Sequence, residues 1–213
     1  MIDPSDERKR EIFEFKKRQI LKTAEEVFSE RGLEGTSLRA IAKACGLSAP
    51  GIYTYYRTKE DLYGEIIARS LDELADRVKG AGSNAAGPVA SLRSALMEFY
   101  IYYRDNSHQL DLGLYLFGGA RPTGVTPEID RDLNNRFKAV IDDLAMRYRQ
   151  AAGWPARDAA SAAAAAAVHA VGLVIMRATH RLKLLGQDPD QLMRSYVDTS
   201  IGGFTDKAER RVR

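Results

Sequence analysis

Residues 45–56 read CGLSAPGIYTYY. Gly46 is the residue type that tolerates the left-handed backbone ending a helix. Ser48 is a favoured N-cap for the next one. Pro50 then falls in the first turn, where its missing N–H costs nothing. Leu47 and Ile52 take the positions of a hydrophobic staple around that cap. Ile52 and Tyr56 are four residues apart and share an inward face. The outer side is left to Ala49, Pro50, Gly51, Tyr53 and Thr54, so the helix tip is nearly bare of bulk and backed by tyrosines.

Working outward, a helix capped by Thr36 or Ser37 precedes this one. Its apolar positions Leu38, Ile41, Ala42 and Cys45 follow i, i+3, i+4, i+7 spacing. The pattern points Cys45 at the core. A longer helix is expected over Asp6–Arg31, with Ile20, Ala24, Val27 and Phe28 on one stripe and Gly32 closing it. A fourth opens at Thr58–Asp61 with a threonine cap and early acids. Two short helices joined by a glycine turn and braced by a longer one describe a helix-turn-helix, whose second helix presents its N-terminal residues to the DNA major groove. The charge pattern agrees. From Thr36 to Lys59 there are Arg39, Lys43, Arg57 and Lys59 and no acid. A phosphate backbone would meet no repulsion there.

The rest of the 213-residue chain is 45% hydrophobic with apolar residues at helical spacing, which predicts an all-α protein of about nine helices. The net charge of +3 decides nothing about partners. The single cysteine excludes an intramolecular disulfide and fits a reducing compartment. The mixed-charge start predicts no secretory leader. Residues 1–60 are expected to form the DNA-binding domain, the fourth helix to about residue 79 the connection, and residues 80–213 a second domain. The small residues of Gly80–Gly87 mark the boundary. Further helices are expected over Pro88–Arg104, Ser107–Phe117, Pro127–Ala152, Ala156–Leu185 and Pro189 to about Gly202, with a loop over Gly118–Thr126. Ala159–Met176 is long and nearly uncharged, but it is mostly alanine and holds Ser161 and His169. It reads as a closely packed helix rather than a membrane span. Three dispersed histidines make no metal site, and nothing implies a cofactor. No nucleophile elbow or phosphate-cradling glycine pattern supports an enzyme.

The segment TSLRAIAKACGLSAPGIYTYYRTKEDLYGEII, residues 36–67, resembles the DNA-binding signature of the TetR family of bacterial transcriptional regulators. The elements that carry the likeness are Thr36-Ser37, Ile41-Ala42, Gly46-Leu47-Ser48, Gly51, Ile52-Tyr53, Tyr55-Tyr56 and Lys59 followed by an acid. The resemblance implies that Arg39 reaches a base or phosphate from the second helix. It implies that Pro50, Gly51 and Thr54 face bases and that Tyr53, Tyr55 and Lys59 bind phosphates. Thr36 and Ser37 would combine capping with phosphate binding, and Ser48 and Ala49 complete the tip. Ala49 departs from the polar or basic residue of many relatives, which shifts readout toward Arg39 and DNA shape.

The resemblance further implies a cytoplasmic bacterial homodimer, paired through its last two long helices on near-palindromic double-stranded DNA. It implies a C-terminal helical domain for ligand binding and dimerisation, with an effector pocket between Pro88 and Met176. Candidate lining residues are Tyr100, Tyr103, His108, Tyr115, Phe117, Phe137, His169 and Met176. His169, Leu173, Met176 and His180 share a stripe that suits either a pocket or a dimer seam. The implied function is a ligand-responsive regulator, a repressor released by a small, largely apolar effector. Control by a protein partner, activation, and, more remotely, a helical enzyme are the alternatives.

Overall fold

The computed structural model describes residues 4–113 and 125–211, and among them the only regular structure is ten α-helices. They fall into two compact units. The first takes residues up to Arg69 and again Asp111–Leu133, and the second takes Ser70–Leu110 and Asn134 onward. The division therefore lies inside the fourth helix and inside the seventh, not at the glycine-rich stretch near residue 80.

In the first unit, α1 (Pro4–Arg31) ends at Gly32, whose φ is +68°. Ser37 caps α2 (Leu38–Ala44), its hydroxyl accepting from the Ala40 N–H at 3.2 Å. Gly46, again at φ +68°, and Leu47 send their N–H groups back to Lys43 and Ala42. This is the doubled closure that a left-handed glycine permits at a helix end. Ser48 then caps α3 (Ala49–Ile52) through the Gly51 N–H at 3.2 Å. Thr58 and Asp61 cap the start of α4 (Lys59–Ala81) reciprocally. The core joins Ile20, Ala24, Phe28, Ile41, Ile52, Leu62 and Tyr63, with Phe28 edge-on to Tyr63 at 5.1 Å. Two later stretches complete this unit. The Tyr63 hydroxyl donates to the Leu112 carbonyl at 2.7 Å, at the end of α6 (Ser107–Gly113). Gly64 lies so close to α7 (Pro127–Ala152) that an added Cβ would sit 2.7 Å from Ile129 Cγ2.

In the second unit, α5 (Pro88–Asp105), α8 (Ala156–Ala178) and α10 (Pro189–Arg211) pack mutually. Their core holds Leu92, Leu96, Phe99, Ala163, Ala166, Ala170, Met193 and Val197. Alanine in α8 lets these neighbours approach closely. By length and composition α8 could cross a membrane. The stretch 80–87, expected as the domain boundary, is a hydrogen-bonded turn running from the end of α4 to Gly87. Its Gly82 is packed: a Cβ there would lie 2.2 Å from both Arg147 Nη1 and Ser91 Oγ.

Three expectations need correction. The helix expected over Ala156–Leu185 is broken. Thr179 turns its hydroxyl onto the Ile175 carbonyl at 2.9 Å, and His180 takes a left-handed backbone at φ 57°. A separate α9 (Arg181–Leu184) follows, which brings the expected nine helices to ten. His180 thus leaves the stripe that began at His169. The third helix is only four residues long, because Tyr53–Tyr55 form a turn. Cys45 is half-buried rather than a full core residue; burial pushes its thiol up, against an opposing hydrogen bond from Thr23.

Candidate nucleic-acid interface

The α3 tip is built by its cap. Ser48, Ala49 and Pro50 are exposed, and Gly51 is half-buried beneath the Ser48 hydroxyl. A Cβ at Gly51 would meet that oxygen at 3.1 Å, so the small residue keeps the capping bond undisturbed. Around the tip, Ser37, Arg39, Lys43, Thr54 and Arg57 are exposed, and Tyr53 is 52% exposed. Tyr53 and these cations stand in water on one acid-free stretch, where an anion would meet no repulsion. A polyanion would use the same groups for contact.

Other expected contacts also have partners within the fold. Thr36 is buried, and its hydroxyl donates to the Gly32 carbonyl at 2.7 Å, so it closes the α1–α2 corner. Lys59 Nζ donates to the Leu33 carbonyl at 2.8 Å, tying α4 to that corner. Tyr55 is half-buried and stacks on Phe13, with centroids 4.7 Å apart and planes 24° apart. Tyr56 is buried, and its hydroxyl donates to Glu65 Oε2 at 3.1 Å. The same oxygen pairs with Lys17 at 2.9 Å, while Arg69 holds Oε1. Burial opposes the Glu65 charge, but Lys17, Tyr56 and Arg69 together outweigh it and hold the carboxyl below its ordinary range. Burial and the Glu65 carboxylate push the Tyr56 hydroxyl well above its own. These contacts of Phe13, Lys17 and Glu65 were not legible in the sequence.

The expected effector residues scatter. Tyr115 and Phe117 lie outside the described residues. Tyr100 is buried with its hydroxyl on Asp190 Oδ1 at 2.7 Å, and Arg104 holds the other oxygen of that carboxylate at 2.9 Å. Tyr103 is buried against Phe99 at 5.4 Å, and Phe137 approaches the same ring at 6.5 Å. These three aromatics are brought together. His108 is exposed and Met176 half-buried. Among the described residues, no group of His, Cys, Asp and Glu is placed to hold a metal.

His169 stacks on Tyr196 of α10 with centroids 4.2 Å apart. Its Nε2 is buried and meets no hydrogen-bond partner among the described residues. Burial holds the imidazole below its ordinary range, against the opposing bond to the Leu192 backbone. The folded chain therefore favours the neutral ring. Above pH of about 6.5 both states are neutral there and the stability is fully present. As pH falls toward the folded value, the unfolded chain takes a proton the folded chain refuses, and stability is lost. Urea midpoints for wild type should therefore fall more between about pH 7 and about pH 5.5 than those of His169→Gln. Equal falls would assign the acid sensitivity to other groups.

Comparison with known proteins finds relatives for this segment and for the fold. Residues 20–66 match the family model described as bacterial regulatory proteins, tetR family. The transcriptional repressor KstR2 of Mycobacterium tuberculosis is 26% identical over 102 residues, covering 43% of this chain and 51% of that one. This chain thus spans about half the length of the first curated relatives it matches. KstR2 of Mycolicibacterium smegmatis is 28% identical over 163 residues, covering 63% of this chain and 80% of that one. The transcriptional activator FasR of the same organism is 30% identical over 89 residues, covering 42% and 41%. Among solved structures, AibR in complex with isovaleryl coenzyme A and operator DNA superposes with a TM-score of 0.68 at 24% identity, covering 86% of this chain and 97% of that one. A tetR-family regulatory protein from Rhodococcus RHA1 superposes equally well at 20% identity, covering 89% and 96%. The all-α fold with an N-terminal helix-turn-helix is theirs too. Residues 20–66 thus carry the DNA-binding signature of the TetR family of bacterial regulatory proteins, and the chain shares the fold of solved structures from that family.

Proposed function

We propose that this chain is a DNA-binding transcription regulator and not an enzyme, reading double-stranded DNA with the α3 tip and Arg39. The observation that carries the reading is the exposed, capped, small-residue tip at Ser48–Gly51 with cations and tyrosines around it. Two copies pair through α8 and α10 on a near-palindromic site. Ala160, Ala164, Ala165 and Val168 are exposed on one side of α8, and Val168 is 73% exposed. Small side chains there let a second helix pair approach closely. Two-fold symmetry then sets recognition helices in successive major grooves, about 34–36 Å apart.

We assign a small, largely apolar effector to the second unit, beside the aromatic cluster of Phe99, Tyr103 and Phe137. AibR binds an acyl-coenzyme A as well as its operator, which shows that a chain of this fold can hold both kinds of ligand. The continuous α4 carries the effector's signal, and a complete switch needs roughly 10⁴-fold differential affinity between two states. Repression relieved by the effector is the reading we favour. FasR, an activator, is the relative that keeps the opposite sign in view. A cytoplasmic location follows from contact with the chromosome.

Selection of duplexes from a random pool tests the DNA contact and the symmetry together. A two-fold repeated half-site and a dimeric mass by light scattering are expected. Recovery of no preferred duplex, with a monomeric mass, would refute the proposal. Arg39→Ala should weaken the selected duplex by about 1–3 kcal/mol and relax one base position per half-site. A loss equal for all sequences would make Arg39 a phosphate contact instead.

A further inference from the structure

We infer that Phe13, in the first half of α1, is a positioning residue that holds Tyr55 ready for the duplex. The inference rests on the proposed role of Tyr55 in binding DNA. Phe13 lies before residues 20–66, the part of the chain that the family signature covers.

The chain leaves α3 after four residues and runs to α4 through Tyr53–Thr58. The backbone there is held by few bonds, chiefly Tyr55 N–H and Tyr56 N–H onto the Ile52 carbonyl. What fixes the side chains must come from other elements. Phe13 and Lys17 are one turn apart on α1 and share a face. Phe13 lies nearly parallel to the Tyr55 ring at 4.7 Å. Lys17 sits 5.5 Å over the Tyr56 ring and pairs with Glu65, which accepts the Tyr56 hydroxyl. Each of two successive tyrosines is thus gripped by its own side chain of α1.

The two grips differ in purpose. Tyr56 is buried, and its hydroxyl is spent inside the unit. Tyr55 is half-buried and keeps one side open, so its stack orders a ring that remains available. Phe13 is itself 37% exposed, too wet to be a core residue in the sense that Phe28 is. A stack that confines Tyr55 before binding removes the rotamer entropy that contact would otherwise cost. Phe13 adds no charge, so its loss should weaken binding without changing the salt slope.

The test is a cycle of wild type, Phe13→Ala, Tyr55→Ala and the double variant. Each is titrated against a fluorescently labelled mixed-sequence duplex at low salt, so that no operator need be known. Phe13→Ala should lose about three- to tenfold in affinity, the scale of one hydrogen bond made worse. In the Tyr55→Ala background it should lose nothing more. Phe13→Tyr, which keeps the flat ring, should bind as wild type does. Circular dichroism melts establish that each variant is folded, and Phe13→Leu replaces Phe13→Ala if that chain melts early. Equal losses from the Phe13 change in both backgrounds, or none in either, would overturn the inference. A Tyr55→Ala chain that binds like wild type overturns the DNA-contact reading itself, and the inference with it.

Discussion

A glutamate at position 49 should abolish duplex binding and leave the fold at least as stable as before. Ala49 is the first residue of α3 and is exposed. An acid in a first helical turn lies at the positive end of the helix dipole and typically gains about 0.3–1 kcal/mol. The same carboxylate would face phosphate at the point of closest approach. Like charges placed together at an interface cost several kcal/mol, so about a hundredfold or more in affinity should go per half-site. Opposite signs on stability and binding make the outcome diagnostic. Ala49→Glu should melt at or above the wild-type temperature and show no shift in a gel at moderate salt. Retained operator affinity would mean that the tip does not enter the groove.

Replacing Arg147 by alanine should severely destabilise the second unit. Its side chain is 8% exposed and its donors reach three elements. Nε donates to Asp143 at 2.8 Å, Nη1 to Ser91 Oγ at 2.6 Å, and Nη2 to the Lys79 carbonyl at 3.1 Å. Removing the cation strands a partly buried carboxylate and a carbonyl while opening space over Gly82. Breaking such a pair costs about 3–5 kcal/mol. For a chain of this size that is roughly a 10 °C fall in melting temperature. Arg147→Lys should recover little, because one ammonium cannot span the three acceptors that the guanidinium fork reaches. A calorimetric shift under about 2 °C for Arg147→Ala would show that water replaces the lost donors at small cost.

The sequence and the structure agree where the information is local. Ser48 and Thr58, and Ser37 as one of two candidates, were readable as caps because a cap oxygen and the N–H that donates to it lie three residues apart. Pro88, Pro127 and Pro189 opened helices where the rule for first-turn prolines put them. Long-range commitments were not readable. Thr36, Lys59 and Tyr100 look like free polar ends in a string of letters. Each already has a partner in the fold, Gly32, Leu33 and Asp190 respectively. The Phe13–Tyr55 stack joins two elements that a periodicity argument treats separately. The break at His180 escaped for another reason. A left-handed backbone at a residue other than glycine is uncommon, and alanine-rich spacing gave no warning of it.

The contacts of Tyr63 with Leu112 and of Gly64 with Ile129 bear on how this molecule could have been assembled. They mean that the reading head borrows part of its own interior from much later in the chain. It is not a cassette to be cut at residue 69 and grafted elsewhere. A donor of the head would have to supply the 111–133 stretch as well, or leave a hydroxyl without its carbonyl and a glycine notch with nothing to fill it. Exchange of such heads between relatives should accordingly be rarer than the shared signature alone would suggest.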